Sequence, residues 1–169
     1  DDWGGNDIFD GGDGTDWLYF FAKSSGVVVD VNSGSVTSHF VPPAWSDTPE
    51  QKELDTIISI EGFGGTKYSD IYFGSSANET FRGDDGNDTL YGGGGNDTLR
   101  GRADNDTLDG EAGNDTLDGG SGNDTITIGT ALAGAAAAET FDGGAGDDTI
   151  VMPFGILVTD TVGAAGAVH

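Results

Sequence analysis

The sequence predicts an all-β chain wound as a flattened parallel coil, with two nonapeptides completing each turn. Three observations predict it. Residues 83–127 read as five consecutive units, GDDGNDTLY, GGGGNDTLR, GRADNDTLD, GEAGNDTLD and GGSGNDTIT. An acid recurs every nine residues, at Asp88, Asp97, Asp106, Asp115 and Asp124, and an apolar residue follows two positions later, at Leu90, Leu99, Leu108, Leu117 and Ile126. Each unit also divides into a Gly-rich part ending in Asp and a short part in which Thr precedes the apolar residue. A fixed short period marks a stack of like structural units. Glycine lets the first part curl, because positive φ costs it nothing. The second part suits a very short strand with one side chain turned into a core.

Stacking sets equivalent acids of units two apart, such as Asp88 and Asp106, about 4.8 Å from each other. Two carboxylates at that spacing repel by roughly 1 kcal/mol in water and about 3–4 kcal/mol at a surface-like dielectric. One buried Leu per unit contributes about 1.5–3 kcal/mol. Ordering nine residues costs about 1–2 kcal/mol each in backbone entropy. A divalent cation between the loops is the simplest remedy. The donors are all oxygens on a pliable loop, which suits calcium with its six to eight irregular ligands better than octahedral magnesium. Zinc would want His or Cys, and the repeats have neither.

The units GGGGNDTLR (92–100) and GGSGNDTIT (119–127) resemble the glycine-rich nonapeptide Gly-Gly-x-Gly-x-Asp-x-U-x of the RTX family of secreted bacterial proteins. The resemblance is clear over 65–128, partial over 2–20 and 139–151, and weak elsewhere. It implies a right-handed parallel β-roll, several structural calcium ions between loops of adjacent turns, type I secretion and folding outside the cell. Carried onto this chain, the expected acidic ligands are Asp7, Asp16, Asp70, Asp88, Asp97, Asp106, Asp115, Asp124 and Asp148. The expected glycine positions are Gly83, Gly86, Gly92, Gly93, Gly95, Gly101, Gly110, Gly113, Gly119, Gly120, Gly122, Gly143, Gly144 and Gly146. Asp104 stands where the pattern has glycine and is a further candidate ligand or a tolerated replacement; Asp tolerates left-handed geometry better than most residues. The stackable loops suggest about four to seven ions.

Composition agrees. Thirty Asp and Glu face six Lys and Arg, a formal charge of −24 over 169 residues. Nucleic acid and anionic membranes are therefore poor partners. Strong acidity with few aromatics reads as disorder until cations bind. There is no cysteine, so metal takes the place of the disulfides that small secreted domains use. No apolar run is long enough to span a membrane. The chain opens Asp1-Asp2-Trp3 without Met and is in repeat phase by Asp7, which reads as one module of a longer protein.

The elements follow in order. Residues 1–20 hold the first two units, with Asp7 before Phe9 and Asp16 before Leu18. Counting 18 residues on, their partners fall at Ser25 and Gly34, which carry no acid, so weak or empty sites are expected there. Residues 21–64 lose the glycines but keep apolar residues in register, and Val27, Val36 and Phe63 are expected on coil strands. VVVDV (27–31) is a strand ended by Asn32-Ser33-Gly34. VPPAWSDTPEQKE (41–53) contains three prolines and is expected to leave the ladder as a surface excursion, with one helical turn near Pro49. Glu61 lies nine before Asp70 and is a candidate for a ligand slot. Over 65–128 the repeats begin with two degenerate units, GTKYSDIYF and GSSANETFR, the second with Glu79 in place of Asp. Residues 129–138 are an insertion that shifts the register by six. Residues 139–151 resume it, so Asp148 is expected to stack on Asp124. Residues 152–169 are a cap or tail.

Catalysis is not expected. The acids are explained by their period, and no pair of them stands apart as acid and base. His39 and His169 have no zinc-spaced partner, and no G-x-S-x-G, Walker or dinucleotide fingerprint is present. Arg100 and Arg102 are read as salt-bridge partners of neighbouring Asp. Besides a structural spacer or adhesin segment, two functions remain. One is a calcium-folded module attached to neighbouring domains of a secreted or surface protein. The other is a glycan-binding accessory module, since the resemblance includes modules of polysaccharide-modifying enzymes. For that second function Trp3, Trp17, Trp45, Tyr19, Tyr68 and Tyr72 are the candidates.

Overall fold

A computed structural model describes residues 7–20, 25–38, 54–129 and 139–152. The excursion at 41–53, the inserted 130–138, both histidines, Trp3, Trp45 and the tail from 153 lie outside the described residues. Within them every regular element is a strand, as expected of an all-β chain.

Fifteen strands form a nine-stranded and a six-stranded sheet. The coil alternates between them. β7 (Ile71–Phe73), β9 (Thr89–Tyr91), β11 (Thr107–Asp109), β13 (Thr125–Thr127) and β15 (Thr149–Val151) run through the larger sheet in parallel. β6 (Gly62–Gly64), β8 (Thr80–Asp84), β10 (Thr98–Ala103), β12 (Thr116–Ser121) and β14 (Thr140–Asp142) do the same in the smaller. Thr89 sits beside Thr107 and Thr98 beside Thr116, so two nonapeptides make one turn. Across the insertion Thr116 sits beside Thr140 and Thr125 beside Thr149. Six extra residues are absorbed without loss of register. This is a parallel β-roll.

One inward side chain per strand forms the core. Leu90, Leu108 and Ile126 from the larger sheet meet Leu99 and Leu117 from the smaller, all at most 1% exposed. Toward the N-terminal side the same rows hold Val29 and Tyr72, and Phe63 and Phe81. At the other end Phe141 and Ile150 are only partly buried.

The N-terminal region departs from the simple coil. β3 (Val27–Asp30), β4 (Ser35–Ser38) and β5 (Leu54–Ile58) form an antiparallel meander inside the larger sheet. Val27 begins a strand parallel to β7, but Val36 lies on a hairpin arm rather than a coil strand. The cause is local. Asp30 Oδ1 accepts the Ser33 N–H at 2.9 Å, and Gly34 at φ 67° donates to the Val31 carbonyl, reversing the chain. The meander displaces the partners of the first two strands. β1 (Ile8–Asp10) pairs with β5, and β2 (Trp17–Tyr19) with β6. The expectation of acid-free partners at Ser25 and Gly34 is therefore wrong. Asp7 N–H donates to Asp55 Oδ1 and Asp16 N–H to Glu61 Oε2, both at 3.0 Å.

Candidate metal centre

The roll sorts the periodic acids into two columns, one along each row of turns. In the first, Asp70, Asp88, Asp106 and Asp124 each donate their backbone N–H to Oδ1 of the acid one coil later, the last of which is Asp148. In the second, Glu79 donates to Asp97 and Asp97 to Asp115, both at 2.8 Å, and Asp115 donates to Glu139 Oε2 at 3.0 Å. The acids from Asp70 to Asp124 are all at most 3% exposed. Asp7, Asp16 and Asp148 are half-buried.

Each Asp thus spends one oxygen on the ladder. The other is the chemical signature of the site. Oδ2 of Asp16, Asp88, Asp97, Asp106, Asp115 and Asp124, and Oε1 of Glu139, are buried with no hydrogen-bond donor. Such an atom costs about 1–3 kcal/mol, and more when charged. Those of Asp88, Asp97, Asp106, Asp115 and Asp124 face the first glycine of their own unit. A Cβ on Gly92 would stand 2.7 Å from Asp97 Oδ2 and 2.8 Å from the Gly110 carbonyl oxygen of the next coil. On Gly119 it would meet Asp124 Oδ2 and the Gly143 carbonyl, at 2.5 and 2.7 Å. Gly83 and Gly101 show the same convergence, Asp88 with Gly101 and Asp106 with Gly119. Gly110 faces Asp115 and Gly143 faces Asp148. Gly11 lies against Asp16 and the Ser59 carbonyl. The space that glycine leaves is an oxygen-lined cradle.

The remaining expected glycines shape the turns. Gly86, Gly93, Gly95, Gly120, Gly122, Gly144 and Gly146 have positive φ, and Gly113 packs against the Gly95 carbonyl. Asp104 adopts φ 73° as expected, and its Oδ2 accepts the Gly86 N–H at 3.1 Å. Asp84, Arg102 and Glu111 also take positive φ where the pattern has glycine. Arg102 Nε pairs with Asp84 at 3.2 Å. Among the described residues no ion pair involves Arg100.

Burial drives the electrostatics. It raises Asp88 to about 8, Asp97, Asp106 and Glu139 to about 7, and Asp70 to about 6, against the opposing pull of the hydrogen bonds each accepts. Asp115, Asp124 and Glu79 move the same way. Burial therefore makes the columns costly to keep ionised unless a positive charge lies beside them. Among the described residues no three His, Cys, Asp or Glu side chains converge on one point. Each turn offers one carboxylate, and neighbouring backbone carbonyls would supply further donors. That all-oxygen set fits calcium.

An Asn ladder escaped the sequence reading. Oδ1 of Asn78 accepts the Asn96 N–H and that of Asn96 accepts the Asn114 N–H; Asn87, Asn105 and Asn123 do likewise, ending on Asp147. The signal was present, because Asn precedes the periodic Asp in all five regular units.

Fold and turns together define a calcium-binding β-roll of nonapeptide repeats. The family model described as RTX calcium-binding nonapeptide repeat (4 copies) matches residues 3–20, 64–99, 73–108, 91–126 and 133–151, and the chain belongs to that family. No curated protein matches the chain.

Proposed function

We propose that the chain is a calcium-folded module of a larger secreted bacterial protein, working outside the cell or at its surface, disordered without calcium and wound into the roll when calcium binds. The observation that carries this reading is the set of buried carboxylate oxygens without donors. Asp88 with the Gly101 carbonyl, Asp97 with Gly110, Asp106 with Gly119, Asp124 with Gly143, and Asp16 with Ser59 would hold the ions. When bound, calcium neutralises the columns and ties each coil to the next. Coupling of binding to folding then makes calcium concentration the switch. Extracellular modules need only weak sites, with Kd of about 10⁻⁴–10⁻³ M. The acids are assigned to metal and no catalytic role is proposed. Equilibrium dialysis of the whole chain against calcium in a magnesium background tests the reading. About four to seven bound ions support it, and one or none refutes it.

A second reading, glycan binding with calcium structural, is favoured by one surface feature. Trp17 and Tyr19 are exposed and stacked at 5.5 Å with 13° between their planes, and the Arg82 guanidinium lies 5.9 Å from the Trp17 ring. Flat exposed rings of this kind stack on sugar faces. Tyr68 is also exposed, whereas Tyr72 is fully buried and leaves the candidate set. Titrating a glycan panel in calcium, read by tryptophan fluorescence, separates the two: binding lost in Trp17→Ala supports the glycan role, and no binding removes it.

A further inference from the structure

The turns are not chemically alike. Asp70 and Glu79 sit in the same columns as the other acids, yet neither keeps a buried oxygen without a donor. Asp70 Oδ2 accepts the Thr66 N–H at 2.7 Å, and its Oδ1 accepts the Thr66 hydroxyl at 3.1 Å and the Val27 N–H at 2.7 Å. Glu79 Oε2 accepts the Ser75 N–H at 3.1 Å and Oε1 the Ser75 hydroxyl at 2.5 Å. Thr66 and Ser75 both occupy the second position of their unit. The five regular units have Asp84, Gly93, Arg102, Glu111 and Gly120 there, all at positive φ and none with a hydroxyl.

The consequence is chemical. Hydrogen bonds to an ionised carboxylate are strong, and here one residue aims both its N–H and its O–H at the acid. The turn closes on the protein's own donors: a Cβ on Gly65 or Gly74 would still meet the acid and a carbonyl of the next coil, but no carboxylate oxygen there is left buried without a donor.

A second, independent observation concerns the core. The same stretch holds the bulkiest inward residues. Phe63, Tyr72 and Phe81 are fully buried and pack ring on ring at 5.1–6.4 Å. The strand carrying Tyr72 is joined to the meander, which adds buried Val27, Val29, Val36 and Ile57. From Leu90 to Ile126 the repeats bury one inward aliphatic residue per unit.

We infer that Thr66 and Ser75 decide which turns dispense with an ion, so that, apart from the turn at Asp16 whose oxygen stays unpaired, the meander and the coil through Arg82 stand without calcium and form the base on which the later coils wind when calcium arrives. Asp70 then leaves the set of ligands expected from the period. The inference rests on the calcium reading proposed above and narrows it: disorder without calcium is confined to the coils after Arg82, and the roll grows from its N-terminal block.

Hydrogen exchange of the whole chain, followed by mass spectrometry in chelator and in calcium, tests it. In chelator, amides of 62–82 exchange at least about 100-fold more slowly than those of 107–127, and calcium removes the difference. Uniformly fast exchange in chelator with recovery in calcium overturns the inference and leaves the calcium reading intact. Protection that is equal from 62 to 127 and indifferent to calcium refutes the calcium reading itself. The double variant Thr66→Gly, Ser75→Gly loses the chelator-state protection over 62–82, while Thr66→Ser, Ser75→Thr keeps it. A glycine variant that exchanges like the wild type in chelator overturns the role given to the hydroxyls.

Discussion

Replacing Asp106 by Asn separates the two jobs of a turn acid. Asp106 Oδ1 accepts the Asp88 N–H at 2.8 Å, and an Asn side chain preserves that bond. Oδ2 is buried without a donor beside the first glycine of its unit. An amide there carries no charge and supplies N–H groups where the carboxylate left an unmet acceptor. Burial holds the Asp106 carboxyl at about 7 against an ordinary 3.8. Keeping it ionised in the calcium-free coil at pH 8 therefore costs about 4 kcal/mol, which Asn removes. In calcium the sign reverses. Each ion bound only by the folded state adds about 1.4 kcal/mol of stability per tenfold rise in calcium above its Kd. Urea unfolding at a series of calcium concentrations reads both effects. The variant is the more stable at low calcium, and its stability rises less steeply, by the equivalent of about one ion. Parallel lines for the two proteins would show that Asp106 binds no metal and would sink the reasoning.

The other predictions concern protons, space and strain. The folded pKa values of Asp88, Asp97, Asp106 and Glu139, about 7–8, lie above the unfolded ones. The calcium-free roll binds more protons than the unfolded chain, so its stability is full below about pH 4 and is lost as pH rises through 7–8. Circular dichroism in chelator should therefore gain strand signal as pH falls from 8.5 to 5.5, and a flat profile contradicts this. Calcium affinity should rise over the same interval with increasing pH, with protons released on binding; calorimetry in buffers of different ionisation enthalpy measures the release. Gly83→Ala drives a methyl against Asp88 Oδ2 and the Gly101 carbonyl, so it should lower the dialysis count by one ion and destabilise the calcium form by about 2–3 kcal/mol. Arg102→Gly relieves a residue at φ 87° at the expense of one partly exposed ion pair to Asp84. The balance is a change within about 1 kcal/mol, on the stabilising side, readable as the urea midpoint.

Much of this architecture was legible in the sequence because the period does two things at once. Nine residues between acids fix the ladder from Asp88 to Asp124, and the same count fixes the inward row of Leu and Ile. Even the six-residue insertion could be read through, since Asp148 resumes the phase and accepts the Asp124 N–H. Counting failed where pairing is not set by the period. Asp7 and Asp16 find acids at Asp55 and Glu61 because a three-stranded meander intervenes, and no local signal states how far a meander postpones the next coil. Tyr72 was legible as a ring but not as a buried one. Its position, two after Asp70, is the inward position of every other unit, and that rule outweighs the polarity of a hydroxyl. The hydroxyls of Thr66 and Ser75 looked like decay of the glycine pattern, and only the hydrogen bonds to Asp70 and Glu79 give them a purpose.

The most direct test of calcium-driven winding is far-UV circular dichroism of the whole chain at pH 8 during a calcium titration, with magnesium as control. The account predicts partial strand signal in chelator, a cooperative rise with calcium and no comparable rise with magnesium. A spectrum in chelator already equal to the calcium-loaded one, or an equal response to magnesium, would contradict it.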